Sequence, residues 1–515
     1  MTPINRSIRI NALLLVAALM IFPLCALGET PTLTLGVKSV KTFSLNPLTP
    51  AEREMQGVTS LIYDSLVTLD DNYDPVPCIA TKWDAYDNGT TWLFTLRSGV
   101  TFHDGTEMTA YDVVATINRI LALAEEGQGQ YMNLKYMVKS ASASDKYMLV
   151  INAERPCYGL LYALTFPILK ADEVESELPS GTGPYYVTDF SPGQELLLTA
   201  NEDYWNGAPG YKELNVMFYT TNKDLLSAYE YKNVDAIVTK SATAAQYRGG
   251  TSSLNVPYRA QQLEVVMMNE SSYPLEDPDI RRAIRYAIDI DAIADTAYGD
   301  MVVRTDTPMI PGTWMYKDNE LYRYDPDMAR QILADKGWSD TDGDGVLDLL
   351  KDGSKRNLKL RIYVYEEQEN SVRIQAANMI ADYLVAVGIN ADVTTFSFKE
   401  AKVKLEKRSY DLCLCSFQMD EVPDPGFLLM KGNVCNYMGY RSDKMDELFK
   451  KGLRKAIDKS AYQQYLYDIQ DLFAEDCPFI CMYYRTGAIL TRTLFIPVHD
   501  VREPNVLRGL EAFYP

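Results

Sequence analysis

Apolar positions along this chain repeat with two periods. Residues 32–37 alternate polar and apolar, and residues 92–96 do so over a shorter stretch, which predicts two strands. Val113, Val114, Ile117, Ile120 and Leu121 share one face of a helix, and Thr109 with Asp112 forms a capping pair at its start. A second helix follows Asp277. Pro278 takes its first turn, Ile280, Ala283, Ile284, Ala287 and Ile288 recur at helical spacing, and Arg281, Arg282 and Arg285 lie on the other side. A third helix starts at Asp325-Pro326 and stops before Gly337. Leu358, Leu360, Ile362 and Val364 then predict a strand. Val372, Ile374, Ala377, Ile380, Leu384 and Val387 predict a helix ended by Gly388. Residues 389–396 and, after a short helix, residues 411–417 return as strands. This β-α-β-α-β order predicts a mainly parallel sheet with helices on its faces, and its presence at both ends of the chain predicts two α/β lobes.

The length of 515 residues fits several domains or one large two-lobed body. With 70 acidic against 50 basic residues the net charge is −20, which repels phosphate backbones and excludes nucleic acid as a natural partner. Arg6 and Arg9, an apolar run over residues 12–22, and the small residues Ala26 and Gly28 predict an export signal over residues 1–28. The run is too short to span a bilayer well. The alternatives are a buried N-terminal helix and a lipid anchor at Cys25, although Leu24 stands where a lipobox has a small residue. The expected location is therefore outside the cytoplasm, periplasmic or at the cell surface. Seven cysteines follow: Cys78, Cys157, Cys413, Cys415, Cys435, Cys477 and Cys481. Their spacing gives no zinc framework. Buried free thiols and a single bridged pair both remain open, and an odd count leaves at least one thiol free.

Catalytic signatures are sparse. No Walker-type loop, H-E-x-x-H or G-x-S-x-G is present. Gly181-Thr182-Gly183 runs into Pro184 with no third glycine, so it reads as a turn into a strand. His103 and His499 are the only histidines. The pair His103-Asp104 could belong to a triad, but nothing places a serine beside it. Asp340, Asp342, Asp344 and Asp348 occupy calcium-loop positions around Gly345, yet Lys351 stands where the bidentate Glu belongs. The segment is either a weak calcium loop or an acidic surface turn.

Several blocks then fall in a familiar order. They are Ile62-Tyr63-Asp64-Ser65-Leu66-Val67, Pro77-Cys78-Ile79-Ala80, Trp92 to His103-Asp104-Gly105-Thr106, and Thr109-Ala110-Tyr111-Asp112-Val113. Gly181-Thr182-Gly183-Pro184-Tyr185, Asn201-Glu202-Asp203-Tyr204-Trp205-Asn206-Gly207, Asp277-Pro278-Asp279-Ile280-Arg281-Arg282 and Tyr324-Asp325-Pro326-Asp327 follow. Together they resemble the solute-binding proteins of peptide/nickel-type ABC transporters, extracellular solute-binding family 5, the oligopeptide and dipeptide binders. The resemblance implies an α/β, two-lobed periplasmic-binding-protein-like II fold of the large cluster C type, with an inserted subdomain and a two-strand hinge. It implies lobe I over residues 29–61, the insertion over 62–180, a second lobe I part over 181–262, lobe II over 263–484, and a return to lobe I over 485–515. The acidic turn at Asp340 looks like a common turn of the family.

The resemblance also implies function. A monomeric receptor captures di- or oligopeptides in an interlobe cleft and hands them to a membrane permease, with no catalysis and no cofactor. An acidic residue after a late strand pairs with the ligand's α-ammonium. Asp420 matches that position, but Asp424-Pro425 falls one residue later than in the dipeptide binders, so Asp420 and Asp424 both stand as candidates. Two extended segments bond the ligand main chain. They match Arg53, Glu54, Met55 and Gln56, and Cys415, Ser416, Phe417, Gln418 and Met419. Tyrosine occurs 36 times, and its amphipathic ring suits cleft walls. The alternatives are another solute on the same fold (an oligosaccharide, nickel or a metal chelate) and an extracellular hydrolase using Asp or Glu.

Overall fold

Two long antiparallel strands carry the architecture, and shorter elements assemble on either side of them. The computed structural model describes residues 32–40, 44–247, 253–318, 322–351, 353–367, 371–493, 501–507 and 509–510; the expected signal over residues 1–28, Cys25 and His499 lie outside the described residues. Along the chain come β1 (Leu33–Lys38), α1 (Arg53–Thr59), β2 (Ala80–Tyr86), β3 (Thr91–Leu96), α2 (Ala110–Glu125), β4 (Val138–Asp145) and β5 (Met148–Ala153). Then follow β6 (Tyr185–Ser191), β7 (Glu195–Ala200), β8 (Glu213–Tyr219), β9 (Ala236–Thr239) and the long β10 (Leu254–Met268). After these come α3 (Pro278–Ala287), α4 (Pro326–Asp335), β11 (Lys359–Tyr365), α5 (Val372–Ala386), β12 (Asn390–Phe396), β13 (Leu412–Gln418), α6 (Lys459–Asp476) and the second long strand, β14 (Phe479–Thr491).

The expected caps are present. Thr109 and Asp112 close a capping box on α2, and the carboxylates of Asp277 and Asp325 accept the amides of Asp279 and Met328 at the starts of α3 and α4. The arginines of α3 do not all face solvent. Arg281 and Arg285 are buried, because Arg281 donates to the carbonyls of Leu275, just before α3, and of Asp476 and Cys477 at the end of α6, and Arg285 pairs with Asp306.

The main sheet runs β12-β11-β13-β10-β14-β9-β1-β8-β7-β6, with a short strand, Val302–Arg304, added against β14. It is mixed rather than mainly parallel. β1 with β8 and β9, and β11 with β12 and β13, are parallel, as the β-α-β order predicts. The hairpins β6-β7-β8 and both long strands pair antiparallel. A separate antiparallel sheet, β2-β3-β5-β4, packs against α2, where Val113, Ile117 and Ile120 join Trp92, Phe94, Leu149 and Ile151 in one core.

The fold is α/β and two-lobed, and β10 and β14 pass through both lobes. One half of each adjoins the β9-β1-β8 side, and β13 borders the other half of β10. All thirteen residues of β14 are buried. On β10, Val266 and Met268 enter one core with Ile280 and Ile380, while Val265 and Met267 enter another with Cys413 and Tyr363. Strands buried on both faces carry no polar alternation. Gly487 of β14 lies under the Tyr258 ring of β10, where an added Cβ would come within 2.1 Å of Tyr258 Cζ. Among the described residues, no helix is long and apolar enough to cross a membrane.

The pairing of β10 with β14 slips between Arg259 and Leu263 and again between Glu264 and Val265. At this break sits a buried ion cluster. Arg373, in the first turn of α5, donates from Nε and Nη2 to the Glu264 carboxylate at 3.1 and 2.7 Å, and Arg485 Nε lies 2.6 Å from the same carboxylate. Glu367 meets Arg373 at 2.7 Å and Arg485 at 3.0 Å. Burial alone would raise the Glu264 carboxyl, but Arg373 and Arg485 outweigh it and hold it below the ordinary range. The stability from Glu264 is therefore present above its unfolded pKa and is lost as pH falls through its lowered native value. Glu264→Ala leaves Arg373 and Arg485 to share the Glu367 carboxylate alone and is expected to cost about 3–5 kcal/mol in urea unfolding. A loss below about 1 kcal/mol would show that the cluster does not hold the junction.

Candidate functional site

A cavity of about 920 Å³ opens between the lobes. One wall comes from α1, the short helix Met132–Tyr136 and the chain around residues 155–167; the facing wall comes from residues 418–424, residues 432–435 and Arg454. Of the residues expected to meet a ligand, Arg53, Gln56, Gln418, Met419, Asp420 and Asp424 line it. Glu54, Met55, Cys415, Ser416 and Phe417 lie outside its lining.

Residues 53–56 are not extended. They form the first turn of α1, and the amides of Met55 and Gln56 are spent on the carbonyl of Glu52 at 3.0 and 3.1 Å. Met55 and Val58 bury one face of this turn. Helical spacing then puts Arg53 and Gln56 on the cleft side, and Arg53 donates to Gln56 Oε1 at 3.0 Å and to the Met419 carbonyl at 3.2 Å. Glu54 turns away to Lys240 at 3.1 Å, and Lys240 reaches Glu503 at 3.0 Å. Glu503 in turn accepts the amide of Gln261, while the Gln261 carbonyl accepts the amide of Met419 at 2.7 Å. The middle of β10 is thus tied to α1 on one side and to the cleft segment on the other.

β13 is extended. Its first residues pair with β10 and β11, but β11 pairs only as far as Leu414, so Cys415–Gln418 is laddered to β10 alone among the described residues. Cys415 is buried, Ser416 Oγ accepts from Arg373 at 3.0 Å, and Phe417 stacks on Tyr437. Gln418 donates to the Gln261 carbonyl at 3.0 Å.

The two candidate aspartates differ in their partners. Asp424 receives Arg454 Nε at 2.6 Å and Nη2 at 3.1 Å, and also accepts the amide of Gly426. Its charge is neutralised by a neighbour on the same wall of the cavity. Asp420 is exposed and meets neutral donors, Asn133 Nδ2 at 2.6 Å and the Glu421 amide at 2.7 Å, with no ion-pair partner among the described residues.

Sequence reasoning missed Glu421, Arg155, Asn133 and Thr165, which also line the cavity. Glu421 accepts from Thr165 Oγ1 at 2.5 Å, and burial, with Asp420 beside it, raises its carboxyl above the ordinary range. Burial raises Tyr131 as well, and Glu421 and Asp420 add to the rise. Arg155 is half-buried, with Nε lacking a hydrogen-bond partner. It sits near Asp424 and Arg454, since all three act on the Cys157 thiol, which burial pushes up. The cavity therefore has an acidic region at Asp420 and Glu421 and a cationic one at Arg155, beside the neutral pair Asp424–Arg454. The adjacency Asp420-Glu421 was a legible signal, whereas Arg155 in Glu154-Arg155-Pro156 carried none.

The other candidate chemistries resolve differently. His103 donates through Nε2 to the Gly183 carbonyl at 3.0 Å, and Asp104 bonds Thr106 and Lys170, so the pair builds a turn. Asp340, Asp342 and Asp348 bring ligand oxygens within 4.8 Å of one another, and Asp344 is not among them. Asp340 is occupied by the amides of Gly343 and Gly345, and Lys355 pairs with Asp342 and lies 3.2 Å from Asp348. Lys355 already offsets part of the negative charge of this loop. All seven cysteines are free thiols, and Cys78 and Cys435 reach the cavity wall.

Comparison with known proteins agrees with this geometry. Residues 74–439 match the family model "Bacterial extracellular solute-binding proteins, family 5 Middle". The oligopeptide-binding protein AppA of Bacillus subtilis is 25% identical over 467 residues, covering 85% of this chain and 83% of AppA. The nickel-binding periplasmic protein of Escherichia coli is 25% identical over 369 residues, covering 68% of each chain. Among solved structures, the ABC transporter substrate-binding protein CtaP of Listeria monocytogenes superposes with a TM-score of 0.81 at 20% identity, over 95% of this chain and 99% of that one. The cleft between two lobes, the order of the sequence blocks and the family match lead to one conclusion: this chain belongs to the bacterial extracellular solute-binding proteins, family 5.

Proposed function

We propose that this protein is the extracytoplasmic receptor of an ABC importer, that it captures peptides between its lobes, and that it delivers them unchanged to a membrane permease. The observation that carries this reading is the Asp420 carboxylate, held in the interlobe cavity by neutral donors alone. A carboxylate placed so, and partly desolvated when the lobes close, favours an incoming ammonium through a charge-assisted hydrogen bond. Arg155 offers a complementary cation toward the other region of the cavity. The one-sided ladder of β13 reaches the cavity at Gln418, which supports main-chain recognition of an extended ligand there, a mode that gives affinity without reading side chains. The family's members are transport receptors, and the relative AppA is named for oligopeptides. Capture and release need no proton relay, which suits a cleft built from carboxylate, guanidinium and amide groups. The expected signal over residues 1–28 places the receptor outside the cytoplasm, and the two-strand junction lets closure present a new surface to the permease.

Thermal unfolding with and without a mixed peptide library tests the reading, because a ligand that binds only the native state raises the melting temperature. The library is expected to raise it for the wild type. Asp420→Ala, at an exposed position, is expected to unfold within about 0.5 kcal/mol of wild type while losing roughly 10- to 100-fold in peptide affinity. Asp424→Ala behaves in the opposite way. It strands Arg454 and is expected to cost about 1–3 kcal/mol of stability. If no peptide shifts the wild type, or if Asp420→Ala binds as tightly as wild type, the peptide reading is wrong.

A further inference from the structure

Three contacts between the walls of the cleft converge on one short segment. Arg53 donates to the carbonyl of Met419, Asn133 to the carboxylate of Asp420, and Thr165 to the carboxylate of Glu421. Two acids therefore stand side by side where the lobes meet, in unlike surroundings. Asp420 is exposed to the cavity, whereas Glu421 is half-buried and has no ammonium or guanidinium within ion-pair distance among the described residues. The charged and titratable groups facing Glu421 are Asp420 beside it, Arg53 from α1, Tyr131 before the short helix, and Arg502 from the C-terminal segment. Arg502 directs a guanidinium nitrogen to the carbonyls of Leu69 and Asp70, at 3.0 and 2.6 Å. Behind Glu421 a void of about 10 Å³, lined also by Ser65, Thr68, Arg502 and Glu503, is close to the volume one water needs.

We propose that Glu421 is a second acid of the ammonium subsite, one that holds a proton less tightly once a cation docks beside Asp420. This rests on the assignment of Asp420 as that subsite. The balance is simple: the Glu421 O–H bond breaks, the proton passes to bulk buffer, and the new carboxylate faces the bound cation. Burial and the Asp420 charge both disfavour a second negative charge in the free cleft, with Arg502 and Arg53 opposing. An ammonium placed against Asp420 reverses the sign of the nearest added charge and lowers the Glu421 pKa. Linkage then fixes the pH dependence. Affinity rises with pH between the bound-state and free-state pKa values of Glu421 and levels off above the higher one. Ligands with two positive charges at that end, such as a peptide whose first residue is Lys or Arg, gain most.

Calorimetric titration with tetra-alanine and with Lys-Ala-Ala-Ala, in pairs of buffers of different ionisation enthalpy at steps from about pH 4.5 to 6.5, counts the protons released on binding across that range. Over these steps the peptide amine is already protonated and contributes none. Wild type is expected to show a maximum of proton release within that range and Glu421→Gln to lack it, with Glu421→Gln also losing that part of the pH dependence of its affinity. The Glu270 carboxyl, raised to about 7 by burial and Asp476 against the pull of Arg281 and Arg408, is present in both proteins, so the difference isolates Glu421. Peptide binding by wild type with no proton release overturns the proposal while leaving the peptide reading intact, and it does so whether or not the variant folds. Equal release by wild type and Glu421→Gln also overturns it. Failure of both peptides to bind wild type at any pH overturns the peptide reading, and the role of Glu421 with it.

Discussion

A buried glutamate held between two arginines is costly to assemble and costly to break. Glu264, Arg373 and Arg485 form such a group, with Glu367 completing a neutral set, at the point where the two long strands slip in register. Apolar residues on both faces of β10 and β14 would allow many equivalent alignments, because one Val or Ile packs much like another. A buried carboxylate has a single arrangement in which both guanidiniums are satisfied. The cluster therefore fixes the register of the strands that join the lobes. Through the bond from Arg373 to Ser416 it also fixes the base of the strand that ends in Gln418 and Met419. The cleft residues are placed as accurately as that strand is.

The same dependence explains what could be read from the sequence. The helices with separate polar and apolar faces, such as α2 with its Thr109-Asp112 box and α3 after Asp277-Pro278, are legible because period and cap point the same way. The alternating strands β1 and β11 are legible for the same reason. The long strands lack that signal, since burial on both faces removes alternation. The mixed sheet followed from them, because antiparallel pairing of β10 with β13 and β14 is a tertiary matter that no local pattern encodes. The arginines of α3 misled in a similar way. Their carbonyl and carboxylate partners lie far off in sequence, at Cys477 and Asp306, so burial of the helix's second side was invisible.

The site was half legible. Asp420 and Asp424 stood out as acids after a strand, but choosing between them needed the partner of each, and Arg454 lies thirty residues beyond Asp424. Residues 53–56 were expected to be extended. Glu52 accepts two of their amides and turns them into a helix, so that the side chains of Arg53 and Gln56, not an extended main chain, line the cavity. Asn133, Thr165 and Arg155 belong to a subdomain whose approach to the cleft depends on the whole fold, so no spacing rule could have named them.

The central claim is that a positive ligand terminus is held by Asp420 between the lobes. It is tested most directly by titrating the receptor with one peptide in two forms, free at its amino end and N-acetylated, the rest unchanged. Acetylation removes the charge and adds only a small neutral group. The account predicts that affinity falls by about 100-fold or more, in keeping with a desolvated charged hydrogen bond of roughly 3 kcal/mol. Equal affinity for the two forms would contradict it.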